Sequence, residues 1–173
     1  FGSENDLCPD PHLWFSPDLW VECMLGVAQR LGTAFPSQKD QIIAKAKDIK
    51  SQWLEIAEWA RTELNSIPKH KRILVTSHDA FRYFGEFYDI EVIASQGIST
   101  SQEAGLADRT NLVDFIREKG IGCVFVESSV NPKAIKEIAN ETGISIGAPL
   151  YSDALGDGSQ IVIGPREKSL SCN

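Results

Sequence analysis

Imidazoles are scarce in this chain, so the places where they stand are informative. His12 lies in "CPDPHLWFSPDLW" (8–20), held between prolines. His78 directly follows "RILVTS" (72–77), and His70 sits in "PKHKR" (68–72). Two acidic positions stand comparably after apolar runs. Glu127 and Ser128 follow "CVFV" (123–126), and Asp153 follows "ISIGAPLYS" (144–152). His12, His78 and Asp153 together offer two nitrogen donors and one oxygen donor, a set that suits zinc, manganese or iron. Glu127 and Ser128 are candidates to line such a site and support its ligands. The stiffness around His12 suits a ligand that must present its nitrogen in one direction, because neighbouring prolines reduce the entropy lost on ordering the loop.

Each residue also has a plainer reading. His78 can neighbour a helix start, Asp153 can turn the chain before Gly156, and Glu127 can be a solvated strand end. His12 can be a structural loop histidine, and His70 reads as a surface group. The same ligands could also hold a metal for hydrolysis, with Glu127 as base. The sequence has no HExxH and no clear nucleophile pair. A metal-free interaction module is the third possibility.

The elements that must position these groups are legible from period and punctuation. "SPDLWVECMLGVAQRLGTAF" (16–35) reads as a helix with Ser16 as N-cap, Pro17 in the first turn and Asp18 complementing the dipole. From Lys39 to Ile67 the apolar positions Ile42, Ala46, Ile49, Trp53, Ile56, Ala60 and Leu64 recur by threes and fours, which keeps them on one face of a long helix. About 27 residues at a rise of 1.5 Å make a rod of roughly 40 Å, and Pro68 ends it. Four short β-branched runs follow, at 72–77, 90–95, 122–128 and 144–151, with helical segments at 79–88, 101–120 and 131–143 between them. Strand and helix in alternation predict an α/β lobe with a mainly parallel four-stranded sheet flanked by helices, joined by three crossovers. In such sheets ligands gather at the carboxyl ends of the strands. His78, Glu127 and Asp153 are all expected there.

With 173 residues, 42% apolar and 24% charged, the chain has the composition of a globular protein able to bury a core. A net charge of −7 and no basic stripe beyond "KHKR" (69–72) argue against nucleic acid as a partner and fit a handler of cations or neutral ligands. No run approaches the ~18 apolar residues of a membrane span, and no phosphate-binding glycine motif is present. The four cysteines lack CxxC spacing. Cys123 is expected as a small buried hydrophobe, while Cys8 and Cys172 could pair in an oxidising compartment.

"DPHLWFSP", the long helix, "RILVTSHDAFRYFGEFYDIEV", "VFVESSVNPKAIKEIANETG" and "PLYSDALG", in that order, resemble the metal-binding solute-binding proteins of ABC importers. The resemblance covers roughly residues 9 to 156. It implies no catalysis: a divalent manganese, zinc or iron ion is captured outside the cytoplasm, periplasmic or on a lipid-anchored protein, as transported ligand for an ABC permease. The membrane is met only through that permease or through an N-terminal anchor outside this chain. It further implies two lobes joined by a rigid helix, with metal ligands at His12, His78 and Asp153 and a site-lining role for Glu127. On that pattern residues 1–38 close the N-terminal lobe, 39–67 form the connecting helix, and 68–173 form the C-terminal metal-binding lobe. The family draws a further histidine from early in its first lobe. This chain is therefore expected to be the C-terminal part of a longer protein. The alternatives carried beside this reading are the metal-dependent hydrolase and a metal-free, adhesin-like module.

Overall fold

A computed structural model describes residues 9–96 and 106–155 of the chain. It divides into two compact units at Leu64 and Asn65. In the first unit a short 3-10 turn at Leu13–Phe15 leads into helix α1, Pro17–Ala34. The expected start is observed: the Ser16 side chain accepts the Leu19 main-chain N–H, Pro17 opens the first turn and Asp18 lies within it. The end of α1 is closed by the Phe35 N–H donating to the Leu31 carbonyl, and a turn at Pro36–Gln38 follows.

Helix α2 is continuous over Lys39–Asn65, 27 residues, ending two residues short of the sequence expectation. Of its apolar stripe only Ala46 is buried, along with Ala57 beside the stripe; Ile49 keeps 39% of its surface exposed. The upper part of the stripe instead lines an open apolar groove of about 400 Å³ with Met24, Val27, Ala28 and Leu31 of α1.

The second unit carries the strands: β1 (Ile73–His78), β2 (Glu91–Gln96), β3 (Cys123–Val124) and β4 (Ser145–Ile146). Helices α3 (Arg82–Tyr88), α4 (Leu106–Lys119) and α5 (Lys133–Thr142) alternate with them. Every pairing is parallel, as the alternation predicts, but the hydrogen-bonded ladders are two, β1–β2 and β3–β4, where one four-stranded sheet was expected. Phe125 N–H donating to the Val75 carbonyl ties the β3 segment to β1.

The second ladder is short for a local reason. Two residues lie between Val124 and Glu127 while three lie between Ile146 and Leu150, yet both ends are paired in parallel. The extra residue is a bulge, and it falls where Pro149 has no N–H to give. Pairing resumes with Leu150 N–H on the Val126 carbonyl and Ser128 N–H on the Leu150 carbonyl.

The core of this unit is one cluster: Val75, Leu112, Val113, Ile116, Val124, Ile135, Ile138 and Ala139. It gathers residues of β1, α4, β3 and α5, so the strands that carry His78 and lead to Glu127 are fixed by one packed layer. Outside it, Arg109 ties α4 to Glu137 and Glu141 of α5 at 2.6 and 3.0 Å. Cys123 is half-buried rather than buried. The expectations for Cys8, Cys172, residues 101–105 of the fourth helix and the chain beyond Leu155 fall outside the described residues.

Candidate metal centre

His78 is the last residue of β1 and is fully buried. Its backbone leaves the strand with every polar group engaged. The carbonyl accepts the Thr76 hydroxyl and the Ala80 N–H, both at 3.0 Å. The main-chain N–H donates to Glu127 Oε1 at 2.9 Å, and ring Nδ1 lies 2.5 Å from Glu127 Oε2. Glu127, 3% exposed, therefore grips one residue twice. A carboxylate is an acceptor, so the proton of the imidazole rests on Nδ1 and the lone pair of neutral His78 is on Nε2.

That Nε2 stands 3.3 Å from Asp153 Oδ2. Asp153 follows the bulged segment after β4 and its side chain is one-third exposed. A direct charge-assisted N–H···O bond is shorter, ~2.7–2.9 Å. Two donors each about 2.1 Å from one tetrahedral ion stand ~3.4 Å apart. The two atoms form an ion pair, and their separation is also one that two ligands of a shared cation would have. Ser129 Oγ lies 3.4 Å from the same Asp153 oxygen and 3.0 Å from Ser152 Oγ.

The electrostatics agree with this geometry. Burial pushes the His78 pKa down, but the Glu127 hydrogen bond and charge, joined by Asp153 and Asp79, outweigh it and hold the ring above its ordinary value. Burial likewise raises Glu127. Hydrogen bonds from the His78 ring, the Ser152 hydroxyl and the His78 main chain overcome that and keep the carboxyl below its ordinary value.

His12 belongs to the first unit. It is 3% exposed and stands just before the turn at Leu13–Phe15. Asp10 Oδ1 accepts both its main-chain N–H at 3.0 Å and ring Nδ1 at 2.7 Å. The Trp14 ring meets it edge-on, with centroids 5.4 Å apart.

Of the residues singled out from the sequence, His78, Glu127 and Asp153 come together at the carboxyl edge of the second unit. Ser128 is exposed and contributes its N–H to the strand pairing. The hydroxyls that reach the carboxylates are those of Ser129 and Ser152, which sequence reasoning passed over, as it did Asp10. An acid two residues before a candidate histidine was the available signal for Asp10. Nothing comparable marked Ser152, whose role depends on the bulge. His70 is exposed, as expected of a surface group.

The chain matches the family described as ZnuA, zinc-uptake complex component A, periplasmic, over residues 2–162. It is 42% identical over 153 residues to the manganese-binding lipoprotein MntA of Bacillus subtilis, a match covering 86% of this chain and 50% of that protein. Among solved structures it is similar to the periplasmic zinc-binding protein TroA from Treponema pallidum, with a TM-score of 0.85 and 31% identity over 92% of this chain and 59% of that one. It is also similar to Fe(III)-bound YtgA from Chlamydia trachomatis, with a TM-score of 0.81 and 29% identity over 91% of this chain and 60% of that one. The chain spans about half the length of the curated relatives it matches.

Proposed function

The chain belongs to the ZnuA family, and from that premise we propose that the whole protein captures a divalent transition metal outside the cytoplasm and delivers it to an ABC-type permease. Manganese, zinc and iron are the candidate cargoes, since relatives named for each are similar to this chain. The protein acts by binding and release and carries out no catalysis. It is periplasmic or otherwise extracytoplasmic and meets the membrane through the permease or through an anchor outside this chain. Residues 1–38 then close a first lobe, 39–67 connect, and 68–173 form the second lobe.

The observation that carries this reading is the spacing of His78 Nε2 and Asp153 Oδ2, 3.3 Å apart, with the nitrogen's lone pair fixed by Glu127. His78 and Asp153 are two of the ligands, and His12 is the third. Glu127 supports His78 rather than touching the ion. A hydrolase would need Glu127 free to take a proton from metal-bound water. Here Oε1 is taken by the His78 main-chain N–H and Oε2 by its ring, which leaves the carboxylate committed to positioning.

Isothermal calorimetry on this chain with zinc, manganese and ferrous iron tests the reading. His78→Ala is expected to weaken metal binding at least about tenfold while leaving the circular dichroism spectrum unchanged, because a ligand is lost and the core cluster is not touched. Equal affinity in the variant would remove His78 from the site.

A further inference from the structure

We propose that Asp10 is a positioning residue for metal capture: it holds the His12 ring with its proton on Nδ1, so that Nε2 is the atom His12 offers to the ion. Asp10 is 5% exposed, and its Oδ1 takes two hydrogen bonds from the same residue, one from the His12 main-chain N–H at 3.0 Å and one from Nδ1 at 2.7 Å. The first bond alone makes the local turn, a common use of Asp. The second is not needed for any turn. It fixes the ring's rotation and, because a carboxylate oxygen only accepts, it fixes the tautomer too.

The same device stands at His78, where one buried carboxylate takes the main-chain N–H and Nδ1 of a single histidine. Asp10 works across two residues of one loop, and Glu127 reaches across 49 positions of sequence. Two independent stretches of chain thus reach one arrangement: a histidine closed onto a carboxylate by both its backbone N–H and its ring Nδ1. Carboxylate partners of ligating histidines orient the ring and raise its basicity. Pro11, between acid and histidine, and the edge-on Trp14 ring restrict the loop further.

The proposal rests on the reading of His12 as a ligand, and the test separates the two. The His12 ring nitrogens are observed by 15N NMR in the metal-free chain at neutral imidazole, beside zinc titrations of Asp10→Ala, Asp10→Asn and His12→Ala. The native chain is expected to carry the Nδ1 proton. Asp10→Ala should lose that tautomer preference and bind zinc about tenfold more weakly. Asp10→Asn keeps an acceptor oxygen, and it should retain the tautomer and recover most of the affinity. A proton on Nε2 in the native chain, or an unchanged tautomer in Asp10→Ala, would overturn the proposal. Undiminished zinc binding by His12→Ala, or none by the native chain, would instead overturn the ligand reading beneath it, whatever the tautomer.

Discussion

The Nε2 of His78 can be taken by a proton or by a metal ion, and Glu127 and Asp153 favour both. The ring's pKa is held above its ordinary 6.5, against burial, by those carboxylates. In the metal-free chain, protonated His78 therefore adds stability that is fully present below about pH 6.5 and is lost as pH rises through the raised folded value. Glu127, held below its ordinary 4.5, adds stability present above that pH and lost as pH falls through its lowered folded value. The two contributions overlap between roughly pH 4.5 and 6.5. Metal binding runs the other way, since the ion must displace the proton. Zinc affinity measured from pH 5 to pH 9 should climb by up to about tenfold per unit, and level off only at a pH above 6.5. A flat profile between pH 5 and 8 would count against ligation by this imidazole.

At the scale of elements, the turn from α3 into β2 shows how closely the second unit is built. Ile90 N–H closes on the Gly85 carbonyl, and Asp89 takes a left-handed φ of 55° to bring the chain round. A Cβ on Gly85 would lie 2.6 Å from the Ile90 carbonyl oxygen and from Val92 Cγ2, so the returning strand would have to move. Gly26 in α1 has open space where its Cβ would be. Gly85→Ala is therefore expected to destabilise by about 1–3 kcal/mol. Gly26→Ala should stabilise by up to about 1 kcal/mol by removing a helix-interior glycine. Urea unfolding of both variants checks the pair, and similar midpoints would contradict it.

The same elements show what the sequence carried. The Ser16–Pro17 start and the 27-residue span of α2 were legible because caps and period are local. The position of His78 at the end of β1, with Glu127 and Asp153 beyond β3 and β4, followed from parallel topology. The early end of the second ladder was not legible, because it depends on a single offset residue near Pro149 that periodicity does not register. Nor was the double grip of Asp10 and Glu127, which depends on where a backbone N–H points after folding. The apolar positions of α2 were read as sharing one face, and Ile49 on that face borders an open groove; spacing places residues on a face without saying what covers it.

For the whole molecule, the relevant facts are a net charge of −7, a family match over residues 2–162 and a span of about half the curated relatives. An acidic surface concentrates cations around a site whose selectivity must then come from ligand geometry, since zinc binds nitrogen and oxygen donors more tightly than manganese or iron does. The proposed capture of metal turns on one ion shared by His78 and Asp153. Crystals of this chain grown with zinc, with anomalous data collected on both sides of the zinc edge, test it most directly. The expected result is one strong peak about 2.1 Å from both His78 Nε2 and an Asp153 oxygen, with His12 Nε2 at similar range. Zinc bound only at His70 or at surface carboxylates, with no peak beside His78, would contradict it.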